Sequence, residues 1–420
     1  MVNKDSKSST PASLRRTHRG LMLSRIQTEP GVSRAELARR FGFSEMAATR
    51  IARDLLGAEI IEEFEFPEEN SSNLRRLGRP RKGLRINPKG VVAAGITVSA
   101  YFSEVSICDA NGQTIARREV SNSSFEDATE TARLYSYALR DLIRDTGINT
   151  SRIIGVGVAL SAKTSPDCSE IIRSEYFGWD NDGGQFWDEV RRNTGLPVVI
   201  ENIANALALS EMRFGAAQGV SEFALAHVAT FAGVGVVSKG RIVRGATGDA
   251  GRIGHFRSHR RPLRCTCGRD DCLNLSATGF GLLAKLGKLD HDKFKRSKLP
   301  VYAMSLLDLI DNEANSEHLN EAGGLLAEAL DPLTKLLAPE LIILSGTLGS
   351  NSIYFDGVRE RLTTEYGFGS DRGFRLVKGE VSPADAASLL ALHTFCYSDR
   401  LDFERLNADA WDHNKRPANA

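Results

Sequence analysis

Gly254-His255 and, shortly after it, Cys265-Thr266-Cys267-Gly268-Arg269-Asp270-Asp271-Cys272 form the most decisive stretch of this chain. One imidazole and three thiolates are the soft donor set that zinc holds tetrahedrally, and a site with all four positions filled by protein has none left for catalysis. His255, Cys265, Cys267 and Cys272 are therefore expected to hold a structural zinc ion. Zinc at such a site supplies on the order of 10 kcal/mol to local folding, enough to order a Gly- and Arg-rich stretch without an apolar core of its own. The alternative is free thiols or a disulfide, for which the tight Cys-x-Cys spacing is poorly suited.

Outward from this stretch the chain reads as an α/β body. Val91 to Val98, Phe102 to Asp109 and Gln113 to Val120 are expected strands, the last two joined at the hairpin signal Asn111-Gly112. A helix over 124–146 and a buried, Gly-containing strand over 152–160 follow. The same order returns in Phe223 to Ala229, Gly233 to Val237, a turn at Lys239-Gly240 and Arg241 to Arg244. Helices over 306–312 and 317–337, a buried strand over 340–345 and a turn over Gly346-Thr347-Leu348-Gly349 complete the second unit. Two lobes of related topology are implied. Lobe 1 is expected over about 89–208 with a C-terminal helix over 384–397, and lobe 2 over about 209–383; residues 398–420 read as a loose polar tail.

The front of the chain is different in kind. Residues 1–13 read as a disordered arm, and residues 14–88 as a winged helix-turn-helix. A first helix ends at Pro30-Gly31; a second begins at the capping box Ser33-Arg34-Ala35-Glu36 and closes at Gly42. Ser44 caps a third helix, on which Ala47, Ile51 and Leu55 pack inward and Glu45, Met46, Thr49, Arg50 and Arg53 face outward, where a recognition helix meets bases and phosphates. Strands over 60–66 and 82–86 would form the wing. Between them Gly78-Arg79-Pro80-Arg81 is a Pro-stiffened basic segment that fits a narrow minor groove, or serves as a solvated linker. The expected DNA-binding set is Ser33, Arg34, Ser44, Glu45, Met46, Thr49, Arg50, Arg53, Arg79 and Arg81. The acidic residues from Glu59 to Glu69 should point away from a duplex.

Charge supports that division. The 420 residues carry a net charge of +1, yet residues 1–90 hold 18 Lys+Arg against 11 Asp+Glu and the remainder 36 against 42. A polyanion partner such as double-stranded DNA suits the small basic part only. Hydrophobic residues at 41% and charged residues at 25% exclude a disordered chain. The six cysteines of so long a chain do not read as a disulfide framework. With no apolar run of about 18 residues and no hydrophobic leader, a cytoplasmic protein with no membrane contact is expected.

Taken together, these residues resemble the ROK family, which contains sugar kinases and, with an added N-terminal winged helix, sugar-responsive transcriptional repressors. The resemblance spans nearly the whole chain. It is carried by Ser33-Arg34-Ala35-Glu36-Leu37-Ala38, Gly78-Arg79-Pro80, Gly178-Trp179, Glu201-Asn202, Gly254-His255 and the cysteine cluster ending in Cys272-Leu273. It implies an actin-like (ribonuclease H-like), two-lobed body with a ligand cleft, assembled as a homodimer or homotetramer.

The sequence departs from the family's kinases at several points. Their motif puts an Asp, the proton acceptor, directly after Glu-Asn; here Ile203 stands there and cannot accept a proton. Their phosphate turns, Asp-x-Gly-Gly-Thr and Gly-Thr-Gly-x-Gly, read Ala94-Gly95-Ile96-Thr97-Val98 and Ala229-Thr230-Phe231-Ala232-Gly233 here. Of the groups that hold sugar hydroxyls in the family, this chain offers Ile203, Arg252, His255 and Asn274. The expectation is a regulator, most simply a repressor without kinase activity, binding a small effector at Asn202, Arg252, His255 and Asn274. Arginine there suits an acidic sugar derivative, unless Arg252 merely pairs with a neighbour such as Asp249. A divergent sugar kinase and a ligand-independent DNA-binding protein remain the alternatives.

Overall fold

The computed structural model describes residues 10–65, 82–99, 103–120, 127–289, 298–365 and 374–406. Helix α1 (Pro11–Thr28) starts behind Thr10, whose hydroxyl accepts from the Ser13 amide, so helix replaces the last residues of the expected arm. Helices α2 (Arg34–Phe41) and α3 (Glu45–Gly57) follow. The capping box forms as read, and Gly42 closes α2 at φ +69°, which the missing Cβ permits. Ala48, Ile51, Ala52 and Leu55 form the buried face of α3; Ala47, expected inside, lies only at its edge. Strands β1 (Ile61–Glu65) and β2 (Lys82–Ile86) pair antiparallel as the wing.

In the body, β3 (Val92–Val98), β4 (Glu104–Asp109), β5 (Thr114–Glu119), α4 (Ala128–Thr146), β6 (Ile153–Leu160), the short pair β7 (Lys163–Thr164) and β8 (Ile171–Arg173), α5 (Gln185–Thr194), β9 (Val198–Asn202) and α6 (Ile203–Phe214) build the first lobe. The second comprises β10 (Phe223–Val228), β11 (Ala232–Ser238), β12 (Arg241–Ile242), α7 (Gly279–Lys285), α8 (Leu299–Ile310), α9 (Ser316–Leu337), β13 (Leu341–Ser345), α10 (Gly346–Gly349), α11 (Ser352–Thr364) and β14 (Arg375–Lys378). The final helix is α12 (Ala386–Phe395).

The two five-stranded sheets share one plan, β5-β4-β3-β6-β9 and β12-β11-β10-β13-β14. Each has a central first strand, antiparallel strands on one side and parallel strands on the other. The internal repeat is real. Helix α12 returns to the first sheet, as expected, and lies directly on β3 and β6. A Cβ on Gly95 would stand 2.3 Å from the Ser388 amide nitrogen, and one on Gly157 2.0 Å from the Ala387 carbonyl oxygen. Only glycine allows this approach.

Several expectations change. Helices α5, α6, α7 and α11 and strands β9 and β14 were not anticipated; Gly346–Gly349 is a single helical turn rather than a turn; and α8 starts at Leu299 rather than Leu306. Residues 398–406, read as part of a loose tail, are packed instead. Leu401, Phe403 and Leu406 are buried, the Arg19 guanidinium lies 4.0 Å over the Phe403 ring, and a Cβ on Gly20 would stand 2.5 Å from the Ser398 carbonyl. Residues 398–406 therefore fasten α1 to the first lobe through apolar and cation–π contact.

Candidate functional site

The His/Cys cluster assembles as its spacing suggests. The four ligand atoms of His255, Cys265, Cys267 and Cys272 lie within 4.8 Å of one another. His255 Nδ1 is 3.6 Å from Cys265 Sγ and 3.8 Å from Cys272 Sγ, and Cys267 Sγ is 3.4 Å from Cys272 Sγ. A tetrahedron with ligand bonds of about 2.0–2.3 Å has edges of about 3.3–3.8 Å, so the donors fit a small metal ion. None of the cysteines is in a disulfide. Close packing of the hairpin depends on Gly254, where a Cβ would stand 2.3 Å from Asn274 Oδ1.

Electrostatics favour a cation here. Burial opposes the charges on His255 and Cys265, but their mutual hydrogen bond prevails, with His255 raised to about 10 and Cys265 lowered to about 6. Burial and then the neighbouring sulfurs push Cys272 up to about 12. Three sulfurs share this corner as thiolates only with a cation among them. The other ring nitrogen of His255, Nε2, donates to Glu175 Oε2 at 3.0 Å. A carboxylate in that position fixes the ring and turns Nδ1 toward the sulfurs, where a metal ion would take the place of the proton shared with Cys265.

Glu175 also begins a chain of charges along the cleft. A cavity of about 500 Å³ opens between the lobes at the C-terminal ends of β3, β6, β9, β10 and β13, the usual ligand position in such sheets. On its wall Arg252 reaches Glu175 at 2.6 Å and Asp249 at 3.2 Å, and Asp249 pairs with Lys163 at 2.5 Å. Hydrogen bonds from His255 and Arg252 outweigh desolvation and hold Glu175 at about 2. Arg252 is thus already neutralised, by the neighbour foreseen and by a second, unforeseen carboxylate.

The other expected effector residues are placed unevenly. Asn202, Arg252, His255 and Asn274 all line the cavity. Asn274, however, is only 2% exposed, and its amide accepts from the Ala232 nitrogen at 3.0 Å and lies 3.9 Å from Cys265 Sγ. Asn202 caps α6, accepting from Ala204 N, and donates to the Ala162 carbonyl. Ile203 is the first residue of α6 and lines the cavity. Beneath it Glu201, 0% exposed, accepts two bonds from Arg244 at 2.6 and 2.9 Å. Sequence reasoning missed Glu175, Lys163 and Arg244 as site partners; the one available signal for Glu175 was its charge within an aromatic stretch.

Of the two expected phosphate turns, the first is misplaced and the second is where expected. Strand β3 runs through Val98, and Gly95 serves the approach of α12, so the chain leaves the strand only at Ser99; residues 100–102 lie outside the described ones. The second joins β10 to β11, and Phe231 there packs edge-on to Tyr176 at 5.4 Å and beside Phe280 at 5.4 Å.

On the N-terminal module, Ser44, Glu45, Met46, Thr49, Arg50 and Arg53 are exposed, Met46 at 83%. Arg50 and Arg53 have no ion pair among the described residues. Ser33 is engaged in its capping box, and Arg34 pairs with Glu63 of the wing. Glu62 pairs with Arg85 and Glu63 with Lys82, so the acidic strand is tied to its own wing. Arg79 and Arg81 lie outside the described residues. Among the contacts that join the module to the body, Arg213 near the end of α6 donates to Ser24 at 3.0 Å and to Gln27 at 3.4 Å on α1, and Arg152 donates to the Ala58 carbonyl at 2.7 Å. Helix α6 therefore has its first residue on the cleft and a penultimate residue on the module. No described helix is long and apolar enough to cross a membrane.

Comparison with known proteins places this architecture. The ROK family model matches residues 93–375. The xylose repressor of Bacillus subtilis is 24% identical over 396 residues, covering 91% of this chain and 96% of that protein. A glucokinase of Halalkalibacterium halodurans is 28% identical over 268 residues, covering 61% of this chain and 79% of the kinase. A crystal structure of a ROK family transcriptional regulator, described as a homolog of the E. coli MLC protein, superposes with a TM-score of 0.74 at 18% identity, covering 94% of this chain and all of that one. The matched region contains both sheets, the cleft and the His/Cys cluster, and the chain belongs to the ROK family.

Proposed function

We propose that this protein is a DNA-binding transcriptional regulator, acting as a repressor, whose cleft senses a sugar or sugar-derived metabolite without phosphorylating it. The observation that carries this reading is that one helix, α6, has its first residue on the cleft and its penultimate residue bonded to α1 of the winged module. The extent of the relatives supports it: the repressor match covers 91% of the chain and the kinase match 61%.

The outward face of α3, with Arg50 and Arg53 unpaired, meets base edges and phosphates; Ser44, Glu45, Met46 and Thr49 border it, and Arg79 and Arg81 follow the minor groove. Two modules in a homodimer or homotetramer read half-sites about one helical turn apart, or a multiple of it. A ligand that changes the angle between lobes shifts the first residues of α6 and, through Arg213, the module.

Ile203 offers no proton acceptor, and Phe231 occupies a turn where a phosphate needs bare backbone N–H groups. His255, Cys265, Cys267 and Cys272 hold a zinc ion, which supplies folding energy to the hairpin and no open position for chemistry. Because Arg252 is already paired with two carboxylates, an anionic effector would have to displace one of them. Alternating cations and carboxylates suit hydroxyls instead, since each hydroxyl both donates and accepts.

The test combines calorimetry with a panel of neutral and acidic sugars, operator binding with and without them, and ATP turnover. Expected results are binding of a sugar by the wild type, weaker binding by Arg252→Ala, changed operator affinity and no turnover. Nucleotide consumption with any hexose contradicts the proposal.

A further inference from the structure

A second cavity, of about 470 Å³, lies in the second lobe between the segment entering the cysteine cluster and helices α7 and α9. It shares no lining residue with the cleft. Its floor is aliphatic: Leu263, Leu275 and Leu282 are buried, and Leu325 packs beside them. Small-molecule sites typically measure about 300–1,000 Å³ and combine such walls with a few polar groups.

The polar groups here are unequal. Lys285 and Glu321 neutralise each other across 2.5 Å. Arg261 and His318 also line the cavity, and Arg261 Nε and His318 Nδ1 are buried without a hydrogen-bond partner among the described residues. Arg261 has no ion pair among the described residues. Buried polar groups in native proteins are nearly always satisfied, so two orphans on one cavity need an external partner.

We propose that this cavity is a second small-molecule site, which takes an amphipathic carboxylate. The apolar part lies on the leucine floor, and the carboxylate meets Arg261 and His318. A planar guanidinium matches a carboxylate in bidentate fashion. The floor offers a sugar's hydroxyls no partner, and the Glu321 carboxylate disfavours the second charge of a phosphate. This inference does not depend on the proposed regulatory role.

Calorimetric titration of the full chain with sodium octanoate, and with 1-octanol as its neutral counterpart, tests the assignment. The expected result is one octanoate per chain, with octanol at least tenfold weaker. Arg261→Gln should weaken octanoate at least tenfold with unchanged thermal unfolding, and Leu325→Trp, which fills the cavity from its half-buried wall, should abolish binding. Absence of saturable octanoate binding overturns the proposal, as does equal affinity for octanol or for the Arg261→Gln variant. Loss of binding in Arg252→Ala alone would put the ligand in the cleft and overturn it equally.

Discussion

On one part of the cleft wall, the charged end, Lys163, Asp249, Arg252, Glu175 and His255 form a continuous chain of charged partners that runs into the cysteine cluster; on another, the aromatic end, Phe231 sits between aromatic neighbours and His227 Nδ1 has no hydrogen-bond partner among the described residues. The charged residues follow β6, β8 and β12, whereas His227 and Phe231 belong to β10 and the turn after it, but the plan shared by the two sheets does not dictate this difference in chemistry. Side chains do. The charged end brings together four possible metal donors and alternating cations and carboxylates, whereas the aromatic end puts the Phe231 ring on the β10–β11 turn.

The sharpest way to break this contrast is at the metal. Cys272→Ser should remove one bound metal per chain, as read by elemental analysis, and cost several of the roughly 10 kcal/mol that such a site supplies. Unchanged metal content and unfolding would show the charged end to be held without it. Next in size is Glu201→Gln, which leaves the half-buried Arg244 without its charge partner; about 3–5 kcal/mol should be lost in urea unfolding. A loss under about 1 kcal/mol would mean that Arg244 finds water or another acceptor.

Glu175→Gln should keep the metal but weaken its binding about 10- to 100-fold in a chelator competition, because the ring of His255 loses its carboxylate anchor. Equal affinity would detach Glu175 from the metal site. The aromatic end gives the smallest effect. Burial lowers His227 to about 4, below its ordinary 6.5, so the unfolded chain binds more protons between those values and stability rises with pH there. Going from pH 7 to pH 5 should therefore cost about 2 kcal/mol at this residue. His227→Gln should remove that share of the pH dependence; an unaltered slope would show that the imidazole is hydrated and titrates normally.

Features set by neighbouring residues were legible in the sequence, and those set by distant ones were not. The Ser33–Glu36 capping box, the Gly42 stop, the repeated hairpins and the four metal donors each lie within a short span and carry their own geometry. Glu175, by contrast, is far along the chain from Arg252 and His255, and no local spacing joins them. Gly95 was misjudged because a glycine in a strand can serve either a turn or a close helix, and only the position of α12 decides. Helix α6 was invisible because β9 passes into it at Asn202 with no Gly or Pro between, and its residues from Ala204 to Glu211 are all buried, which erases the helical period. Helix α5 left a legible mark, since Gly184 and Gly195 bracket it.

The central claim is that a sugar-kinase-like body here serves a DNA-reading module. Selection of bound duplexes from fragmented genomic DNA by the full chain, followed by anisotropy titration at controlled salt, tests it most directly. The expected result is a recurrent site with two half-sites, and at least a tenfold loss of affinity when Arg50 and Arg53 are both replaced by alanine. No enriched sequence, or equal affinity of the double variant at low salt, would contradict it.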